Sequence, residues 1–146
     1  MPHDTQAESL RLWVIFSRAH AAVGARAQAD VARHGLTIAE FGVMEALHHK
    51  GPLLLSDVKA KILVSNAGVT YLVDRLEKRG LVQRRRCDRD RRAYYAHLTE
   101  AGTALLERIF PEHAAVVEEA FGVLSAEERA TLTDLLRRVG KHSAAG

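Results

Sequence analysis

Apolar residues recur every three or four positions through the first quarter of the chain: Leu10, Trp13, Phe16, Val23, Ala27 and Val31, with His20 in the same phase. That period predicts a one-stripe helix over 9–34, stopped at Gly35. Thr37-Ile38-Ala39-Glu40 has the threonine and glutamate of a capping box, so a second helix starts there. Phe41, Met44, Ala46, Leu47 and His48 form its inward and flanking positions, and Gly51-Pro52 ends it. Leu53-Leu54-Leu55 is a short apolar run, read as a small strand or an extended lead-in. A short helix over 56–62 follows, with Val58 and Ile62 inward. Ser65 is the expected N-cap of the next helix, 66–79, whose stripe is Val69, Leu72, Val73 and Leu76. After Gly80, two runs suited to strands, 81–86 and 93–98, flank a charged tip at 87–92. A long helix begins near Thr99 and carries Leu105, Leu106, Ile109, Val116, Val117 and Phe121. Pro111 lies inside it and is expected to kink or divide it. The last helix opens on a second capping box, Ser125-Ala126-Glu127-Glu128, and carries Leu132, Leu135, Leu136 and Val139.

The resulting fold class is mainly α with a small β-wing. Two short helices joined by a tight turn and followed by a hairpin form a winged helix–turn–helix over 37–98. The flanking helices, 9–34 and 99–140, carry apolar stripes larger than so small a unit covers. They are read as dimerisation helices of a single domain, 1–146, with a second copy of the chain as partner. An apolar content of 47% supports a packed core. One cysteine, Cys87, excludes an intramolecular disulfide and a cysteine-based zinc site. The N-terminal residues lack the apolar centre of a secretory leader, and no run approaches the roughly 18 apolar residues of a membrane span. The expectation is a soluble cytoplasmic protein without a membrane partner.

Charge changes the picture through its location. The chain carries only +3, yet residues 75–92 hold nine basic side chains against Glu77, Asp88 and Asp90. The segment is therefore +6 and the remainder acidic, the electrostatic footprint of a nucleic-acid site. The helix just before it presents Asn66, Thr70, Tyr71, Arg75 and Lys78 opposite its apolar stripe, after a small polar first turn that begins at Ser65. Such a turn fits the major groove of duplex DNA, where Asn and Thr meet base edges; Arg75 and Lys78 are placed for phosphates. In the hairpin, Arg84 and Arg86 share a strand face that would line the backbone, and Arg91 or Arg92 would reach a minor groove. Asp88 and Asp90 are expected to pair with neighbours and shape the tip.

Residues 65–82 (SNAGVTYLVDRLEKRGLV), with Asp88-Arg89-Asp90-Arg91-Arg92 and Leu98-Thr99-Glu100-Ala101-Gly102, resemble the recognition helix, wing and fifth helix of the MarR family of winged helix–turn–helix regulators. The resemblance covers nearly the whole chain. It implies an obligate homodimer acting as a repressor on a palindromic operator. It places DNA contacts at Ser65, Asn66, Thr70, Tyr71 and Arg75, with Arg92 as the wing arginine and Asp90 its partner. It also implies release by a small effector, often aromatic or phenolic, bound between the dimer helices and the winged helix. The candidates for that site are Trp13, Phe16, His20, Phe41 and His48, although aromatics on an apolar stripe are more commonly core.

Other chemistries have less support. Cys87 between Arg86 and Arg89 is an alternative, redox-responsive element, since arginine neighbours favour a thiolate. His48 and His49 are adjacent and diverge on a helix, and only a pairing of His20 with His113 across a dimer suggests a metal, so no metal or cofactor is assigned. No Gly-rich phosphate loop, paired carboxylates or nucleophile–base motif points to an enzyme. A winged helix used for protein contacts or RNA is the remaining alternative, and exposed aromatic platforms for RNA are few.

Overall fold

The fold is taken from a computed structural model, which describes residues 2–62 and 68–146. Six helices and three strands follow in the order α1 (Pro2–Ala32), α2 (Ile38–Lys50), β1 (Leu53–Leu54), α3 (Leu55–Lys61), α4 (Val69–Lys78), β2 (Val82–Arg86), β3 (Tyr94–Leu98), α5 (Glu100–Phe121) and α6 (Ala126–Ala144).

The local signals act as chemistry requires. Thr37 caps α2, accepting from the Glu40 amide while the Glu40 carboxylate accepts from the Thr37 amide. Ser125 and Glu128 repeat this arrangement at α6. The Glu128 carboxyl is held below its ordinary pKa by these hydrogen bonds from Ser125. Gly35, Gly51 and Gly80 follow α1, α2 and α4 with φ near +75°, a region L-residues avoid.

Three boundaries differ from the sequence reading. Helix α1 begins at Pro2 instead of near Ser9. Polar residues 2–8 offer no stripe to detect, but they contain no breaker past the first turn. Helix α4 starts at Val69 behind an extended Gly68, so the capping role expected of Ser65 falls outside the described residues, as does Asn66. Helix α5 runs through Pro111 undivided. The lost hydrogen bond sits on a long helix that buries Leu106 and Ile109 just before it, and this packing outweighs one missing donor.

The sheet has strand order β1-β3-β2, all antiparallel, with Leu53 opposite Ala96 and Val82 opposite Leu98. Its inner face supplies Val82 and Ala96 to a core shared with Phe41, Met44 and Leu47 of α2, Val58 of α3, Leu72, Val73 and Leu76 of α4, and Leu106 and Ile109 of α5. Only the end of α1, at Val31, joins this core. Upstream, Leu10, Trp13 and Ile15 are more than half exposed, and α6 buries nothing. The core thus belongs to the winged unit, and the two ends of the chain extend from it. No helix among the described residues is long and apolar enough to cross a membrane.

Candidate nucleic-acid interface

Helix α4 buries Val69, Leu72, Val73 and Leu76 against the core and leaves Thr70, Tyr71, Arg75 and Lys78 in solvent. Asp74 lies at the boundary, half-buried. The exposed side is not a loose row of charges. Arg75 donates from one terminal nitrogen to the Tyr71 hydroxyl at 3.1 Å, with its guanidinium carbon 5.7 Å from the Tyr71 ring centre. Its Nε faces Oε2 of Glu40 at 3.5 Å. Its pKa is raised, first by the Tyr71 hydrogen bond and further by the Glu40 charge. Glu40 is 1% exposed, a carboxylate whose two oxygens are divided between the cap of α2 and Arg75. The capping box marked Glu40 in the sequence; nothing there pointed to its second oxygen facing α4.

The hairpin is fastened to α4 by Arg84. Its guanidinium pairs with Asp74 and, at 3.6 Å, with Glu77, whose other oxygen accepts from the Arg84 amide at 3.0 Å. Arg84 shares the inner sheet face with Val82, so alternation turns it towards α4 instead of along a DNA backbone. Arg86, next on that face, lies beyond the core and stays exposed. It donates to the Tyr94 hydroxyl at 3.4 Å. This contact raises the Arg86 pKa and lowers that of the Tyr94 phenol. Arg85 points to the opposite face beside Tyr95 and His97, around a shallow cleft.

At the tip, Asp90 organises main chain. Its Oδ1 accepts from the Arg92 amide at 3.0 Å, its carbonyl accepts from the Ala93 amide, and the Cys87 amide donates to the Ala93 carbonyl. The partnership expected between Asp90 and Arg92 is therefore with the Arg92 amide. The side chains of Arg89, Arg91 and Arg92 are left exposed around the turn. Cys87 is 8% exposed, tucked under the tip.

The five effector candidates are not brought together. Trp13 and Phe16 lie 6.3 Å apart on the exposed part of α1, with His20 also exposed. Phe41 is buried and packs against His113 of α5, ring centres 4.6 Å apart and planes tilted by 52°. His48 borders a cleft of about 210 Å³ with Phe110 and Pro111. A larger cleft of about 620 Å³ lies between α5 and α6, walled by Phe110, His113, Val117, Phe121, Leu132 and Leu136. Of these, Val117, Phe121, Leu132 and Leu136 were read only as apolar helix positions, and His113 only as a metal candidate. Its Nδ1 lies 3.0 Å from the buried Asp30 carboxylate within the same chain.

The sequence profile of the MarR family matches residues 34–93. The HTH-type transcriptional regulator MhqR of Bacillus subtilis is 41% identical over 133 residues, spanning 91% of this chain and 92% of its own. Sco3205, a MarR family regulator of Streptomyces coelicolor solved in complex with DNA, superposes with a TM-score of 0.87 at 26% identity, covering 93% of this chain and 88% of that one. BpsR of Bordetella bronchiseptica, whose structure concerns regulation of its DNA binding by 6-hydroxynicotinic acid, gives 0.80 at 30% identity over 89% of this chain and 98% of its own.

Proposed function

Because the chain belongs to the MarR family of transcriptional regulators, we propose that it is a cytoplasmic, sequence-specific binder of duplex DNA, working as a homodimeric repressor on a palindromic operator. The observation that carries this reading is the exposed Thr70–Tyr71–Arg75–Lys78 face of α4 with an arginine-rich hairpin fastened beside it by Arg84. Thr70 and Tyr71 select bases, Arg75 and Lys78 hold phosphate, and Arg91 and Arg92 reach past the half-site to backbone or minor groove. Ser65 and Asn66 belong to the same reading, as base contacts preceding α4. A selection on random duplexes, followed by titration across salt, tests it. The expected result is an inverted repeat whose affinity falls steeply with salt but keeps its advantage over random sequence. Equal binding to all duplexes rejects it.

We further propose that a small hydroxylated aromatic molecule releases the operator. Support comes from the apolar clefts where α5 meets α2 and α6, with His113 and His48 as polar points, and from the ligand control named for BpsR. Phe41, through its contact with His113, and His48 fit that site better than the exposed Trp13, Phe16 and His20. Titrating hydroxylated aromatic acids and hydroquinones into the operator complex should lower affinity, and a Phe110→Ala variant should respond less.

A further inference from the structure

Nine basic residues lie between 75 and 92, and one of them is turned back on the protein. Arg79, the C-cap of α4, donates from one terminal nitrogen to the Gly35 carbonyl at 2.7 Å and from the other to the His34 carbonyl at 3.4 Å. Both carbonyls belong to the turn that ends α1. In that turn the Gly35 and Leu36 amides bond back to Ala32 and Val31, while the His34 and Gly35 oxygens accept from Arg79. The carboxyl end of a 31-residue helix is electronegative, and a planar fork with separated donors suits two adjacent carbonyls better than an ammonium does. Gly35 sits at φ +74°, and a Cβ there would rest 3.5 Å from the Arg79 guanidinium, so the group lies flush on the turn.

A second tether sits one helical turn away. Arg75 reaches Glu40 at the start of α2, where the Gln28 side chain of α1 accepts from the Ile38 amide. The carboxyl half of α4 is thus held at two points to residues 34–40, where α1 ends and α2 begins. Two points a turn apart fix an angle as well as a position. In a dimer joined through α1, that angle sets the distance between the two α4 helices.

Resting on the DNA-binding reading above, we propose that Arg79 is a positioning residue that fixes half-site spacing by locking α4 to the end of α1, and that it makes no phosphate contact. One added base pair moves a half-site by about 3.4 Å and about 35° around the duplex, so a loosened lock should show as relaxed spacing. The test uses the full-length wild type, Arg79→Gln and Arg79→Lys on the selected palindrome with its spacer shortened or lengthened by one base pair. Wild type is expected to lose about tenfold or more at either altered spacer, the cost of a misplaced contact. Arg79→Gln should lose under about threefold while keeping the wild-type dependence on salt, because no phosphate contact has gone. Arg79→Lys keeps the charge but spans one carbonyl at a time, and should also relax spacing; it carries the test if the glutamine variant does not fold. Wild-type discrimination in both variants overturns the proposal. So does a salt slope in Arg79→Gln lower by about 0.9, the signature of a lost phosphate contact. A wild type that binds its selected site yet tolerates every spacer overturns it alone, whereas a wild type without any preferred duplex rejects the functional reading beneath it.

Discussion

Gly102 occupies a place no other residue fits. It lies in the first turn of α5, and a Cβ there would be driven into the Leu81 carbonyl, which already accepts from the Thr99 amide. Main chain cannot move aside as a side-chain tip does. Gly102→Ala is therefore expected to destabilise the fold by about 3 kcal/mol or more, read from urea unfolding, despite the better helix propensity of alanine. Arg92 is the opposite kind of residue: only its amide is used by the fold, through Asp90. Arg92→Ala should leave the unfolding midpoint within experimental error, weaken operator binding, and lower the salt slope by about 0.9. Undiminished affinity in that variant would remove Arg92 from the interface.

At the scale of elements, the pairing of α4 with β2 through Arg84, Asp74 and Glu77 decides where the hairpin stands. Arg84 is three-quarters covered but its partners are more exposed, so the coupling is modest. A double-mutant cycle on Arg84→Ala and Asp74→Ala should give about 0.5–1 kcal/mol in stability, together with a shared loss of DNA affinity in both single variants. Additive effects on both measurements would show the contact to be idle. Periodicity made α2, α4, both strands and the start of α5 legible, because each buries one face and keeps the other wet. It could not tell which arginines of the basic run face solvent. Arg79, Arg84 and Arg92 look alike in a sequence; one is held by carbonyls of the turn after α1, one by α4 carboxylates, and one is free at the tip. That division depends on alternation along β2 and on where α1 ends. The effector candidates were named for the junction that the family resemblance implies, and an apolar stripe cannot distinguish a cavity lining from a face that awaits another chain. In the single chain Trp13 and Phe16 are exposed, and apolar clefts lie along α5.

The whole molecule is unbalanced as a single chain. Trp13, Ile15, Leu135, Leu136 and Val139 stand exposed on α1 and α6, on helices that contribute little or nothing to the core. Placing them in a two-fold interface would bury a large apolar area, which stabilises by roughly 25 cal/mol per Å². Thermal unfolding should then depend on protein concentration, the midpoint rising as concentration increases. Leu136→Glu should shift the sedimentation profile to monomer and lower the midpoint. A concentration-independent midpoint and an unchanged profile in that variant would remove α6 from the interface.

The close approach at Gly102 also governs modularity. Thr99 ends the hairpin and caps α5 at once: its hydroxyl donates to the Gly80 carbonyl and accepts from the Gly102 amide. No linker separates the hairpin from the long helix behind it. A chimaera that joins this winged unit to the body of a relative must therefore carry the first turns of α5 with it, through Ile109 where burial in the core ends, because a seam at residues 98–99 would cut through the joint itself.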